Sequence, residues 1–130
     1  MRLLFIIFIA LATTAGAQSF ETILQQGHEL AVISVATSPD SNYVVTGSRD
    51  KSAKLWELSS GREVRSFLGH DYSVTTLNFT KDGKTLITGS NDKTVRLWDV
   101  NTGEQIASID VFYRVTSISL DPTSRYAFVG

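Results

Sequence analysis

A period of 42 residues governs this sequence. The stretch Tyr43-Val-Val-Thr-Gly-Ser-Arg-Asp-Lys-Ser-Ala-Lys-Leu-Trp-Glu57 returns as Thr85-Leu-Ile-Thr-Gly-Ser-Asn-Asp-Lys-Thr-Val-Arg-Leu-Trp-Asp99, with the Gly-Ser, Asp-Lys and Trp positions each displaced by 42. A repeat of that size is one supersecondary unit that cannot bury its apolar face alone, so the copies have to stack on one another.

The register extends beyond the core match. Gly27-His28 aligns with Gly69-His70, Pro39-Asp40 with Lys81-Asp82, and Gly61 with Gly103. Each unit holds four short runs of strand character separated by turn chemistry. In the second unit the expected strands are Val74–Phe79, Lys84–Ser90, Val95–Val100 and Glu104–Ile109. The turns are Lys81-Asp82-Gly83, Asn91-Asp92-Lys93 and Asn101-Thr102-Gly103, the last with a Gly suited to a left-handed position. Helical periodicity is absent throughout, so the class is all-β. The second strands are apolar on consecutive residues (Val44-Val45, Leu86-Ile87, Ala127-Phe128-Val129). Such runs mean that both faces of the sheet are covered. Four-stranded antiparallel sheets stacked around an axis meet that demand.

Gly-His, Gly-Ser-x-Asp and Trp-Asp/Glu at fixed separations, twice over, resemble WD40 repeats, and the resemblance runs from about Gly27 to Gly130. It implies a partial β-propeller with an incomplete ring. Residues 27–68 form repeat 1, 69–109 repeat 2, and 110–130 a third repeat without its last two strands. Residues 18–26 precede the first Gly-His as Arg62–Leu68 precede the second, and read as an outermost strand able to complete the last blade. A closed propeller takes about 4–8 blades, so the sequence reads as the N-terminal fragment of a longer protein whose missing blades lie in cis. Unit three has Asp110-Val111 where Gly-His is expected, which leaves its polar set incomplete.

The N-terminus carries Met1-Arg2, the apolar run Leu3–Ala12, and Ala15-Gly16-Ala17. That is a positive region, an apolar core and a small-residue cleavage site in the order of a secretory signal peptide. The expectation is a leader over 1–17, a mature chain from Gln18, and an exported protein, periplasmic or extracellular, with no membrane span after cleavage. The run is shorter than the roughly 20 apolar residues of a membrane helix. With a net charge of −1 and no basic stripe, a nucleic-acid partner is not expected. Cysteine is absent, which excludes disulfides and thiolate metal sites.

His, Ser, Asp and Trp recur together: His28, Ser48, Asp50 and Trp56, then His70, Ser90, Asp92 and Trp98. A hydrolase would use Ser as nucleophile with His as base, but it needs one such set rather than two at one period. The reading preferred here, which the resemblance also implies, is a structural tetrad in which the indole N–H is accepted by the Ser hydroxyl and passed through His to Asp. No catalytic, metal or cofactor site is expected. The resemblance further implies a non-catalytic scaffold that binds other proteins or peptides. Contacts would come from the loops entering the first strand and joining the second to the third: Glu29, Leu30, Arg49, Lys51, Asp71, Tyr72, Asn91, Lys93, Phe112 and Tyr113. The alternative is a recruiting domain of a larger exported enzyme, with a protease- or kinase-type domain downstream.

Overall fold

The computed structural model describes the backbone of residues 5–14 and 17–130, and side chains from Gly27 onward. Every described element is a strand. An N-terminal hairpin pairs β1 (Phe5–Thr14) with β2 (Ala17–Gln26), antiparallel from Phe5 opposite Gln26 to Thr14 opposite Ala17. Blade 1 comprises β3 (Val32–Thr37), β4 (Tyr43–Ser48), β5 (Ala53–Glu57) and β6 (Glu63–Phe67). Blade 2 comprises β7 (Val74–Phe79), β8 (Thr85–Ser90), β9 (Thr94–Asp99) and β10 (Gln105–Asp110). Both are four-stranded sheets with neighbours in chain order, and the third unit supplies the pair β11 (Ile118–Leu120) and β12 (Ala127–Val129). The blades stand open, not closed into a ring. The apolar run read as a leader thus lies largely in β1, while Ala15 and Gly16 of its cleavage site lie outside the described residues. The strand expected over 18–26 exists as β2, paired with β1 instead of with a blade.

The blades stack through the faces that the consecutive apolar residues predict. Val45, Leu55 and Phe67 of blade 1 meet Val74, Leu77, Phe79, Leu86 and Trp98 of blade 2 in one buried cluster. One repeat on, Ile87 and Val95 meet Val115 and Ile118, with Leu97 and Leu120 packed at the margin. Each such fully buried side chain contributes about 1.5–3 kcal/mol. In β8, Leu86 faces blade 1 and Ile87 faces the third unit, which is why neither position can be polar.

The innermost strands carry a feature that alternation alone does not predict. Val74 and Leu77 are three residues apart yet share a face, because the ladder slips between Val74 and Thr76 and leaves Thr75 as a bulge. The same slip falls between Val32 and Ser34. The bulged Thr75 is put to use: its hydroxyl donates to Val115 O of the next blade at 2.5 Å. Asn78 Nδ2 donates to Ile118 O at 2.8 Å and the Ile118 N–H donates to Thr76 Oγ1 at 3.2 Å, so the first strands of adjoining units are stitched by polar side chains.

Where a neighbouring blade is lacking, equivalent positions open to solvent. Val35, one repeat before the buried Leu77, is 66% exposed, and Phe128, one repeat after the buried Ile87, is also 66% exposed. The sheet faces are therefore built for more stacking than the described residues supply.

Candidate interaction face and the networks that brace it

In each complete blade, the loop entering the first strand and the turn joining the second to the third strand meet at one end of the sheet. A carboxylate ties them. Asp92 Oδ2 accepts the Asp71 N–H at 3.0 Å and His70 Nδ1–H at 2.7 Å; Oδ1 accepts the Thr94 N–H at 2.9 Å and the Thr94 hydroxyl at 2.6 Å. Asp50 repeats all four bonds with Glu29, His28 and Ser52. The turn closes on a left-handed residue, Lys51 (φ 75°) or Lys93 (φ 66°), a backbone requirement that the Asp-Lys pair in the sequence did not announce.

Behind His lies the correction to the expected tetrad. The indole N–H of Trp98 donates to Thr88 Oγ1 at 2.8 Å, and Thr88 Oγ1 lies 2.8 Å from His70 Nε2. Trp56, Thr46 and His28 repeat both distances. The hydroxyls of Ser48 and Ser90, assigned to this place from the sequence, are elsewhere. Ser90 donates to Tyr72 O and accepts the Asp92 N–H, both at 3.1 Å; Ser48 donates to Ala31 O at 3.0 Å and accepts the Asp50 N–H at 3.1 Å. The reason is strand geometry. Leu86 is directly opposite Trp98, so Thr88 is its diagonal neighbour on the same face. Ser90 shares that face but sits two residues further along the strand, about 6.5 Å past Thr88 and out of the indole's reach. The Thr before each Gly-Ser repeats at the same period and was the available signal.

Proton positions follow from donor–acceptor logic. An ionised Asp92 only accepts, so His70 Nδ1 carries the proton and Nε2 accepts from the Thr88 hydroxyl, which itself accepts from the indole. Burial pushes the His70 imidazole below its ordinary range, against the pull of Asp92, and keeps it neutral. Burial alone would raise the Asp92 carboxyl, but hydrogen bonds from Thr94, His70 and the Asp71 N–H outweigh it and lower it to about 2. Asp50 is likewise pushed up by burial and driven further down by His28 and Ser52, to well below the carboxylate range. Asp–His–hydroxyl is the order of a hydrolytic triad, yet the Thr88 oxygen is already hydrogen-bonded to Trp98 and fully buried, so no substrate reaches it. Among the described residues no three His, Asp or Glu side chains are grouped to hold a metal ion.

Both groups have folded-state values below their unfolded ones, so each contributes stability that is present above the unfolded value and lost as pH falls. For His70 the loss starts below about 6.5, and for Asp92 it runs from 3.8 towards about 2. The Asp92 network contributes on the order of 1–2 kcal/mol at neutral pH. Denaturant midpoints measured from pH 7 to 3 are expected to fall continuously, and His70→Asn is expected to flatten the limb between pH 7 and 5. An unchanged slope in that variant would show that His70 is not buried neutral.

The sequence profile described as "WD domain, G-beta repeat" matches residues 19–57 and 61–99, more than half of the chain. This chain belongs to the WD40 family. The profile's frame is one strand ahead of the blades, running from β2 or β6 to Glu57 or Asp99, and so treats β2 as the equivalent of β6. The chain is also similar to "Ribosome biogenesis protein BOP1 homolog" of Drosophila ananassae, 40% identical over 48 residues that make up 37% of this chain and 6% of that protein. The corresponding Drosophila grimshawi protein is 41% identical over 46 residues, 35% of this chain and 6% of the relative. The WD40 chain thus spans a small fraction of the length of these relatives, about that of one repeat.

The networks leave their loops displayed in a consistent way. Leu30 is 50% exposed, Tyr72 62%, Tyr113 83% and Phe112 91%. Leu30, Tyr72 and Tyr113 occupy equivalent positions of successive units. Arg49, Lys51, Asp71 and Lys93 are exposed beside them, while Asn91 is half-buried, with its N–H donating to Ser73 O at 3.1 Å. In the third unit, Val111 and Val129 stand where His70 and Thr88 stand in blade 2, and the loop is held by apolar anchoring instead.

Proposed function

We propose that this protein is a non-catalytic WD40 scaffold of an exported protein that binds other proteins through the loop face bearing Leu30, Tyr72, Phe112 and Tyr113. The observation that carries this reading is the asymmetry between the two ends of the blades. Large apolar loop side chains gather on this face. The opposite loops, Ser38–Asn42, Thr80–Lys84 and Asp121–Arg125, are almost wholly polar and spend their side chains on their own turns, as when Asp40 and Asp82 accept hydroxyls and N–H groups within three residues. Aromatic residues on a braced loop are the usual anchors of protein interfaces. The open sheet faces at Val35 and Phe128 support further blades in cis, and the N-terminal pattern supports export. The role in the name of the BOP1 homologues belongs to proteins matched over little more than one repeat, and the leader-like segment favours a different compartment.

The test uses the full-length protein expressed with its N-terminus intact. It is expected in the exported fraction with Gln18 as its first residue. Cross-linking there is expected to capture a partner that Tyr72→Ala weakens about tenfold without moving the melting curve. Retention in the cytoplasm with Met1 present would sink the export reading. A captured partner indifferent to Tyr72→Ala, but lost on a substitution in the Thr80–Lys84 loop, would assign binding to the other face.

A further inference from the structure

The third entry loop departs from the other two in a way that the brace does not explain. In blades 1 and 2 the residue after His is acidic and its N–H is bound by the Asp of the network, followed by Leu30-Ala31 or Tyr72-Ser73. In the third unit the corresponding residues are Phe112-Tyr113-Arg114. Replacing Asp71 by Phe112 and Ser73 by Arg114 makes this loop two charges more positive than its blade 2 counterpart.

The loop is nonetheless held at both ends. The Val111 N–H donates to Lys93 O at 2.8 Å and the Val115 N–H donates to Ser90 O at 3.1 Å. Val115 is fully buried and Val111 packs beside Ile87 and Val95. Three residues between two fixed anchors therefore project Phe112 into water at 91% exposure, which folding alone does not favour. The Val111 bond to its carbonyl places Lys93 beside this knob. Among the described residues neither Lys93 nor Arg114 forms an ion pair. The adjacent Asp92 makes no direct ion pair with either, its acceptor positions being occupied by His70, Asp71 and Thr94. Asp110, the last residue of β10, pairs with Thr94 and forms no ion pair with either cation.

We propose that Phe112, Tyr113 and Arg114, with Tyr72 and Lys93, form a docking point for an extended peptide segment that pairs an apolar side chain with a carboxylate. The aromatic rings take the apolar group, and the guanidinium and ammonium take the carboxylate, so that charge supplies orientation and specificity. An anionic bilayer fits less well. Glu29 and Asp71 are exposed on the same face and would be pressed against its phosphates, whereas a narrow segment can follow the basic end alone. This inference rests on the loop face being the binding surface and adds the class of partner.

The experiment measures fluorescence anisotropy of the full-length protein with labelled 12-residue peptides. One peptide carries Leu-Phe flanked by Asp and Glu, a second carries Asn and Gln in their place, and a third carries Lys. Vesicles of phosphatidylcholine with and without phosphatidylglycerol form a separate arm. The acidic peptide is expected to bind at least tenfold more tightly than the amide peptide. Arg114→Glu is expected to remove that preference and give the Lys peptide the advantage, with an unaltered melting curve. Equal binding of acidic and amide peptides would overturn the charge assignment and leave the interaction face standing. Binding of none of the three, with a cross-linked partner still dependent on Tyr72, would overturn the peptide class. Binding to anionic vesicles alone would replace it with a membrane surface.

Discussion

Thr88→Val is expected to destabilise the protein by about 2–4 kcal/mol, although it exchanges one side chain for another of the same shape. The hydroxyl it removes accepts the Trp98 N–H and reaches His70 Nε2 at a position with no solvent exposure. Valine leaves both groups without partners, and an unsatisfied buried polar group costs roughly 1–3 kcal/mol, with the network adding to the sum. Denaturant unfolding measures the loss, and the Trp98 indole N–H resonance reports its cause. That resonance is expected to move in Thr88→Val and to be nearly restored in Thr88→Ser, which keeps the oxygen. Ser90→Ala is expected to leave it in place, because the Ser90 hydroxyl serves Tyr72 O and the Asp92 N–H. If Ser90→Ala shifted the indole signal and Thr88→Val did not, the network described above would be wrong.

Gly47→Ala is expected to cost about 2–3 kcal/mol for a different reason. A Cβ at Gly47 would run into Ser34 Oγ, come within 2.9 Å of Val74 Cγ1 and within 3.0 Å of Leu77 Cδ2. It would wedge blades 1 and 2 apart and disturb the Ser34 hydroxyl that donates to Val74 O at 3.3 Å. Overpacking of a close-packed interface typically costs 1–3 kcal/mol, about the amount of one well-buried side chain. Gly83→Ala provides the contrast. Gly83 needs its glycine for a left-handed turn (φ 70°) and a Cβ there meets only Pro39, at 3.5 Å, so strain of about 1 kcal/mol is all that is expected. Equal unfolding midpoints for the two variants would show that the blades are not packed through Gly47.

Much of the fold was legible in the residues. Strand positions in blade 2 fall within about one residue of those expected, because alternation, β-branched content and turn chemistry act locally and recur at one period. Gly103 sits in the left-handed conformation anticipated for it (φ 79°). Other features were hidden because they depend on what lies across a strand or a blade. The choice between Thr88 and Ser90 turns on which hydroxyl is diagonal to an indole, and both are small hydroxyl residues on one face. The turn at Asp121 shows a related effect. Thr80 and Asp82 exchange places with Asp121 and Thr123, so the same hydroxyl–carboxylate pair closes the turn with its order reversed. A residue-by-residue match reads that exchange as a loss of pattern, while the hydrogen bonds are conserved.

The period, the all-β class, the His, Asp and Trp of each polar set and the loops that bear Tyr72 and Phe112 follow from the sequence by itself, since each is carried by local spacing. The tertiary structure decided the rest. It placed Thr46 and Thr88 under the indoles, set the bulges that turn Val74 and Leu77 to one face, and committed all of Asp92's acceptor positions to His70, Asp71 and Thr94. Those outcomes depend on cross-strand registry and inter-blade packing, and they exist only once residues distant in the chain are brought within a few ångströms.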